Sequence, residues 1–417
     1  MTETTFAGFG LHPTLLAALE RAGFDAPTPI QAQAIAPQMA GRDILGVAQT
    51  GTGKTAAFGL PILNDILALA GRPAPRTCRA LILAPTRELA VQIEANFRVF
   101  AGGARMSTVL ILGGLSRNGQ IRAMERGVDV AIATPGRLID LMDAGAIRLD
   151  ETRFVVLDEA DRMLDMGFVK PVRRIVAALH PRRRSALFSA TMPAEVAALA
   201  EGFLRDPVRV AVTPQATTVE RIDQRVEMLP SGEKRARLAA LVADPQVGRA
   251  IVFARTKRGA DRVAANLAKD GVPAEAIHGN KAQNARQRAL DRFRRGDVRV
   301  LVATDIVARG IDVTGVTHVV NYELPDEPEA YVHRIGRTGR NGAAGAAVTF
   351  CAPEELEKLR AVEKAARLSL APPQPGERAQ TGGGKPGRAR PASGPKGGAP
   401  RGPKPEAPLP ARTPEAA

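Results

Sequence analysis

The sequence has no tryptophan, two tyrosines and two cysteines, and each scarcity argues against a class of protein. Aromatic residues make up 4% of the chain, which argues against a single-strand nucleic-acid platform built on stacked rings. Cys78 and Cys351 lie far apart and match no metal-ligand spacing, so we expect two reduced thiols in a cytoplasmic protein. No apolar run reaches the roughly 18 residues of a membrane helix, and the N-terminus lacks a basic flank with an apolar core. These features argue against secretion and against contact with a membrane.

Positive charge is what the sequence has in excess. The net charge of +15 predicts a polyanionic partner, most simply nucleic acid. Residues 371–417 are dominated by Pro and Gly, lack aromatic residues and are predicted to be a disordered basic tail. This tail has eight Lys or Arg against three Glu, so it carries +5 of the charge and leaves +10 for residues 1–370. The part predicted to fold is therefore basic as well.

Short apolar runs alternate with helical periodicities along residues 1–370, which is typical of α/β domains with parallel sheets. The predicted strands of the first half are 44–47, 80–84, 108–112, 130–133, 154–157, 186–189 and 208–212. Those of the second half are 225–229, 250–253, 274–277, 300–303, 318–321 and 347–350. A polar stretch at 213–220 is predicted to be a linker. We therefore expect one domain at 1–212 and a second at 221–370.

A glycine-rich stretch, Ala-Gln-Thr-Gly-Thr-Gly-Lys-Thr at 48–55, lies between a predicted strand and a helical pattern. Gly51 and Gly53 would let backbone N–H groups turn toward phosphate oxygens. Lys54 would reach the β- and γ-phosphates, and the Thr55 hydroxyl would ligate Mg²⁺. The general phosphate-loop pattern begins with Gly where this chain has Ala48, so a glycine-rich turn before a helix is the alternative.

Polar clusters follow six predicted strands of the first half. Because ligands of parallel sheets bind beyond the carboxyl ends of the strands, these clusters predict one functional edge. Asp158 after an apolar strand is the natural second holder of Mg²⁺, and Glu159 is the candidate base for an attacking water. A helix N-cap followed by first-turn acids is the alternative for this pair. The clusters are 48–55, 85–88, 113–114, 134–137, 158–161 and 189–191.

Three further stretches each admit two interpretations from their residues alone. The segment 333–340, His-Arg-Ile-Gly-Arg-Thr-Gly-Arg, is either a set of arginine fingers or a solvated basic loop. The segment 304–312 either offers a carboxylate to a ribose or is an ordinary strand-to-helix loop. In 23–31, Gln31 and Phe24 either recognise an adenine base or belong to a Pro-Thr helix start.

Taken together, these stretches resemble DEAD-box ATP-dependent RNA helicases from residue 6 to about residue 350. The family's loop commonly begins with Ala, which accounts for Ala48. The residues at 162–168 and 278–281 are most similar to those of the RhlE type, a bacterial subgroup of the family. The likeness rests on Phe6, 23–31, 48–55, 85–90, 113–114, 134–137, 158–161, 189–191, 251–255, Gln283 with Arg286, 304–312 and 333–340.

The resemblance implies an α/β fold of two RecA-like domains with parallel central sheets, the P-loop NTPase fold of helicase superfamily 2. The first would bind ATP and carry an N-terminal Q motif; the second would be the helicase C-terminal domain, with ATP at the interface. The implied activity is RNA-stimulated ATP hydrolysis that locally unwinds short RNA duplexes or remodels RNA–protein complexes. An RNA chaperone or annealing module acting mainly by charge is the alternative function.

The resemblance also implies roles for individual residues. Catalysis would fall to Lys54, Thr55, Asp158, Glu159, Arg337 and Arg340, with Mg²⁺ held by Thr55 and, partly through water, by Asp158. ATP would be bound by Phe6, Phe24, Thr28, Gln31, Gln49, Thr50, Gly51, Thr52, Gly53, Lys54, Thr55, Gly310 and Asp312. The RNA backbone would touch Thr86, Arg87, Gly114, Thr134, Arg137, Gly279, Gln283, Arg286 and Thr304. Coupling between the domains would involve Asp161, Ser189, Thr191 and His333.

RNA is the expected partner, bound through its sugar-phosphate backbone with little sequence preference. Ribosomal precursors and the RNA-decay machinery are both open as cellular partners. The basic tail is expected to be a non-specific RNA tether.

Overall fold

Two parallel β-sheets organise the chain. The computed structural model describes residues 5–49, 51–212, 222–305, 313, 315–328, 330–339, 344–366 and 370. It has a strand at each of the thirteen predicted positions, with ends that differ from the prediction by at most three residues. The strands are β1 (Ile44–Val47), β2 (Cys78–Leu83), β3 (Thr108–Ile111), β4 (Val128–Ala133), β5 (Phe154–Leu157), β6 (Arg184–Ser189), β7 (Val208–Ala211), β8 (Ile222–Met228), β9 (Arg249–Phe253), β10 (Ala274–Ile277), β11 (Val300–Ala303), β12 (Val316–Asn321) and β13 (Gly345–Cys351).

Helices connect the strands and cover the sheets. They are α1 (Pro13–Arg21), α2 (Pro29–Met39), α3 (Lys54–Ala68), α4 (Arg87–Ala101), α5 (Arg117–Met124), α6 (Pro135–Asp143), α7 (Ala160–Asp165), α8 (Val169–Ala177), α9 (Ala194–Phe203), α10 (Lys234–Ala243), α11 (Lys257–Lys269), α12 (Gln283–Arg295), α13 (Ala330–Ile335) and α14 (Leu356–Ala366). Short 3₁₀ helices lie at Ala7–Phe9 and Pro353–Glu355. Within the described residues, no helix is both long and apolar enough to cross a bilayer.

The strand orders confirm the expected fold class. The first sheet has seven strands in the order β3-β4-β2-β5-β6-β1-β7, and the second has six in the order β10-β11-β9-β12-β13-β8. Every pairing in both sheets is parallel. These are two RecA-like domains, each with a parallel central sheet. The predicted linker at 213–220 and the predicted tail at 371–417 lie outside the described residues, and the domain boundaries stay predictions.

Alternation of side chains along β2 gives the first sheet a core on each face. Ala80 and Ile82 pack into one apolar cluster with α3 and α4, while Leu81 and Leu83 pack into the other with α6 and α9. Successive side chains of a strand point to opposite faces, so a strand that is covered on both sides reads as a continuous apolar run. This is why the runs in the sequence located the strands so closely.

Asp43, one residue before β1, fixes the start of that strand between its two neighbours. The carboxylate is 6% exposed and accepts hydrogen bonds from the backbone N–H of Ser185 at 2.7 Å and of Arg205 at 2.8 Å. One acceptor thereby joins β6 and the segment leading into β7 to the beginning of β1. Because β1 runs from here to the glycine-rich loop, Asp43 also helps to position that loop.

Arg334 has the corresponding organising position in the second domain. It is 1% exposed, and its guanidinium binds Asp305 through Nε at 2.6 Å and Nη2 at 2.7 Å. Nη1 donates to Asn321 Oδ1 at 3.2 Å and to the carbonyl of Glu323 at 2.7 Å, and the group lies 5.0 Å from the ring centre of Phe253. Sequence reasoning treated Arg334 only as one of several basic residues. Its role depends on contacts distant in sequence.

We predict that Asp43→Ala lowers the free energy of unfolding by about 2–4 kcal/mol, because two buried N–H donors lose their acceptor. Chemical denaturation followed by circular dichroism measures this loss. Asp150→Ala is the matched control, since the Asp150 side chain is 61% exposed. Equal stability of the two variants would contradict the role given to Asp43.

Candidate functional site

The loop between β1 and α3 has the backbone shape of a phosphate cradle. Gly51 and Gly53 have φ angles of 85° and 92°, a left-handed conformation that favours glycine. Lys54 begins α3, is 6% exposed, and donates from Nζ to the carbonyl oxygen of Ala48 at 3.0 Å. The loop therefore closes around the lysine ammonium, next to the N-terminus of a fifteen-residue helix. Thr55 follows Lys54 in the same first turn.

The start of α2 is hydrogen-bonded directly to this loop. Thr28 Oγ1 donates to the carbonyl of Thr52 at 2.8 Å, and Gln31 Nε2 donates to that of Gly53 at 3.1 Å. Gln31 Oε1 also accepts the Thr28 backbone N–H at 2.9 Å, completing a capping box. The Thr52 hydroxyl in turn donates to the carbonyl of Gln49 at 2.8 Å. The structure thus shows the helix start, which also supports the glycine-rich loop, while recognition of adenine by this stretch stays a prediction.

Two phenylalanines predicted to recognise adenine pack inside the first domain. Phe6 is 5% exposed and lies edge-on to Phe9, with ring centres 6.3 Å apart. Phe24 lies edge-on to Phe100 at 5.7 Å. Both contact the same apolar cluster. Their contact with a base stays a prediction.

Asp158 lies at the carboxyl end of β5 and is 2% exposed. Burial raises the pKa of its carboxyl from 3.8 to about 6; the nearby ammonium of Lys54 opposes this shift, and the charge of Glu159 adds to it. The Glu159 backbone N–H donates to Asp158 Oδ1 at 3.0 Å. The site therefore places the buried Asp158 carboxyl close to Lys54 of the glycine-rich loop. Binding of an added cation there would be strongly favourable.

Glu159 has an unusual backbone conformation for a non-glycine residue. Its φ of 53° and ψ of 55° are left-handed, and α7 begins immediately after it. The Glu159 carboxylate is held through Oε2 by Arg162 Nη1 at 3.0 Å, with both side chains largely buried. Sequence reasoning missed Arg162, although the spacing of three residues at a helix start is a readable signal for such a pair.

Asp161, Ser189 and Thr191, three of the four residues to which the resemblance assigns coupling between the domains, lie together. Asp161 Oδ2 accepts from the backbone N–H of Ala190 at 3.2 Å and of Thr191 at 2.9 Å, and from the Thr191 hydroxyl at 2.9 Å. Ser189 Oγ accepts the Asp161 backbone N–H at 3.2 Å. The end of β6 is thereby attached to α7, which follows directly after the acidic pair Asp158–Glu159.

The residues predicted to bind RNA in the first domain line the loops after β2, β3 and β4. Arg87 lies against Gly114, where an added Cβ would come within 2.4 Å of Arg87 Nη1. Arg137 Nη1 donates to the carbonyl of Leu115 at 3.2 Å. Thr86 and Thr134 are the N-cap residues of α4 and α6. These side chains share one edge of the sheet, as the parallel topology requires.

Gln283 and Arg286 of α12 are paired with Glu88 of α4. Gln283 Nε2 donates to Glu88 Oε1 at 3.2 Å, and Arg286 Nη2 lies 2.5 Å from the same oxygen. Each of the three residues is at most 7% exposed. Sequence reasoning singled out Gln283 and Arg286 for RNA contact but missed Glu88 as their partner, since the two segments are almost 200 residues apart.

The remaining predicted residues of the second domain follow its strands and α13. Gly279 comes just after β10, and Thr304, which is 6% exposed, comes just after β11. Arg337 is 7% exposed and donates from Nε to the carbonyl of His333 at 3.1 Å. Thr50, Gly310, Asp312 and Arg340 lie outside the described residues, so their roles stay predictions.

Comparisons with known proteins agree with this geometry. The family model described as DEAD/DEAH box helicase matches residues 28–199, and the model described as helicase conserved C-terminal domain matches residues 233–342. The chain is 43% identical over 366 residues to the Bacillus subtilis protein named DEAD-box ATP-dependent RNA helicase CshA, covering 88% of this chain and 73% of that protein. It is 43% identical over 369 residues to the RNA helicase CrhR of Synechocystis, with coverages of 87% and 73%.

Solved structures show the same similarity. The structure of Saccharomyces cerevisiae Dbp5 bound to RNA and ADP BeF3 matches with a TM-score of 0.77 and 31% identity, covering 88% of this chain and 94% of that one. The structure of Mss116p bound to single-stranded RNA and AMP-PNP matches with a TM-score of 0.78 and 30% identity, with coverages of 89% and 79%.

We predict that Asp158→Asn stabilises the nucleotide-free protein at neutral pH. In the wild type the folded-state pKa lies above the unfolded value, so stability falls as pH rises from about 4 to about 6. The variant avoids this penalty. Because Lys54 loses an anionic neighbour, we expect a gain of about 1–3 kcal/mol above pH 7 rather than more.

Thermal unfolding with a metal chelator present, from pH 4 to pH 8, measures the difference between the two proteins. The gap in Tm should widen between about pH 4 and 6 and then stay constant. Asp206→Asn, which replaces an exposed carboxylate paired with Arg42, is the control for the loss of a surface charge. A constant gap across the whole range would refute the assignment of a raised pKa to Asp158.

Proposed function

Because this chain belongs to the DEAD-box family of ATP-dependent RNA helicases, we propose that the loop 48–55 and the pair Asp158–Glu159 form its ATP-hydrolysis site. The enzyme hydrolyses ATP and uses the reaction to unwind or remodel RNA. The observation that supports this assignment is the convergence of Lys54 and Asp158 at the carboxyl edge of the first sheet.

Lys54 binds the triphosphate in this proposal. Its ammonium has three donors, and the Ala48 carbonyl engages one of them. Two remain for phosphate oxygens. The backbone N–H groups around Gly51 and Gly53, together with the N-terminus of α3, add further positive potential at the same place. Thr28 and Gln31 hold the loop from behind, and Gln31 with Phe6 and Phe24 would recognise adenine.

Thr55 and Asp158 fit a Mg²⁺ ion that binds together with the triphosphate. Both offer hard oxygen ligands, and the raised pKa of Asp158 marks a buried carboxylate that lacks sufficient positive charge. Phosphate oxygens and water would supply the other ligands, as Mg²⁺ sites in such enzymes generally require. When bound, the ion neutralises charge that develops on the phosphates during transfer.

Glu159 orients the attacking water and accepts its proton. Arg337 and Arg340 of the second domain provide positive charge to the γ-phosphate, so the first domain holds only part of the site. Asp161, Ser189 and Thr191 connect the acidic helix start to the end of β6, and with His333 they would relay the state of the nucleotide to the second domain.

RNA would bind along the edge formed by the loops of both domains, which would contact its phosphate and ribose groups. Such contacts explain a low sequence preference and predict that binding weakens steeply with salt. We further propose a bacterial cytoplasmic enzyme of the RhlE type that acts on ribosomal precursors or within RNA decay.

We predict that Glu159→Gln lowers kcat for RNA-stimulated ATP hydrolysis by roughly 100-fold or more while ATP still binds, since the base is lost and the phosphate cradle is kept. Lys54→Ala should lose ATP binding as well. Arg174→Gln is the control, because Arg174 pairs with Asp143 on the exposed surface. Duplex separation that continues unimpaired in Glu159→Gln or Lys54→Ala would favour the RNA chaperone alternative.

We also predict that removing residues 371–417 weakens RNA affinity at low salt, because the tail contributes a net charge of +5. ATP hydrolysis without RNA should be unchanged. Titration of labelled single-stranded RNA at several salt concentrations measures the effect as a smaller slope of log K against log salt. An unchanged slope would refute the tether.

A further inference from the structure

Arg162 has a contact that the helicase reaction, as described so far, does not use. Its guanidinium lies 3.0 Å from Glu159 Oε2, and the two side chains are only 8% and 11% exposed. We propose that Arg162 is a positioning residue for the Glu159 carboxylate. This inference rests on the proposed role of Glu159 as the group that orients the hydrolytic water.

The backbone of Glu159 makes such a support necessary. A left-handed conformation costs an L-residue about 1–2 kcal/mol, and it directs the side chain away from the path that an ordinary helix start would give it. The glutamate side chain has three rotatable bonds beyond this turn. Without a partner, the carboxylate would divide its time among several rotamers.

The geometry of the pair leaves the second carboxylate oxygen for the reaction. Arg162 binds Oε2, and within the described part of the chain no hydrogen bond engages Glu159 Oε1, which can therefore accept one from a water molecule. The contact is a charge-assisted hydrogen bond from Nη1, and it holds the carboxylate beside a permanent positive charge. Holding a reacting group in one orientation contributes to kcat rather than to substrate binding.

Charge around the site supports the same role. Asp158, Glu159 and Asp161 lie within four residues, and Lys54 acts on Asp158 from the glycine-rich loop. Arg162 is paired with Glu159 rather than with Asp158. The Arg162 guanidinium therefore holds the Glu159 carboxylate in place next to Asp158.

The test is steady-state ATP hydrolysis at saturating RNA in Arg162→Gln. We expect kcat to fall roughly 10- to 100-fold with the KM for ATP unchanged. Arg162→Lys should recover part of kcat, because it keeps the charge and loses the planar fork. Guanidinium ion at low concentration should raise the kcat of Arg162→Ala, whereas KCl at equal ionic strength should not. Arg174→Gln is the matched surface control.

A double variant separates positioning from a general structural effect. If Arg162 acts through Glu159, then Glu159→Gln with Arg162→Gln should be as slow as Glu159→Gln alone. An unchanged or increased kcat in Arg162→Gln overturns the inference. So does a parallel rise in the KM for ATP, or the absence of rescue by both lysine and guanidinium.

The proposed function and the positioning role of Arg162 are contradicted by different results. Full activity of Glu159→Gln would remove the proposed function itself. An inactive Glu159→Gln together with a fully active Arg162→Gln would remove only the positioning role. Circular dichroism identifies any variant that fails to fold, and Arg162→Lys then decides the question, because its kcat must lie between those of the wild type and Glu159→Gln.

Discussion

Parallel pairing of every strand in both sheets is the constraint on which the site depends. All strands of a parallel sheet end at the same edge. Segments that follow these strands therefore lie together there, even when they are distant in sequence and make no specific contact with one another. The glycine-rich loop after β1, the acidic pair after β5 and the Ser-Ala-Thr segment after β6 meet in this way. Asp43 anchors the opposite end of β1 through hydrogen bonds from Ser185 of β6 and from Arg205, just before β7.

The sequence was sufficient for the fold, since apolar runs located the strands because the strands are covered on both faces. It also singled out polar clusters that lie at one edge of the first sheet, while their roles stay predictions. It was insufficient for partners separated by many residues. Glu88 and Arg286 were each visible as charged residues in informative segments, but pairing across 198 positions has no local signal. Arg334 shows the same limit, since composition indicated a basic segment and the structure shows a buried cation.

Arg162 was missed for a different reason. Its spacing from Glu159 is a local signal, yet the same spacing at an exposed helix start would indicate only a weak surface pair. What distinguishes it is burial, together with the left-handed backbone at Glu159. Neither the burial of the pair nor the backbone conformation of Glu159 can be read from the amino-acid sequence. The value of the pair depends on the environment that the fold provides.

Two buried arginines of the second domain, Arg334 and Arg286, differ in how fully the polar groups around them are hydrogen-bonded. Arg334 has its guanidinium bonded to Asp305, Asn321 and a carbonyl group. Around Glu88, by contrast, Glu88 Oε2, Gln283 Oε1 and Arg286 Nε are buried without a hydrogen-bond partner among the described residues. A partly satisfied polar cluster is costly, so it gains free energy from any ligand that completes it. A donor that reaches Glu88 Oε2, or an acceptor that reaches Arg286 Nε, would complete hydrogen bonds that the first cluster leaves unmade. The first cluster is therefore open to a change of partner, whereas four hydrogen bonds hold the Arg334 guanidinium to Asp305, Asn321 and Glu323.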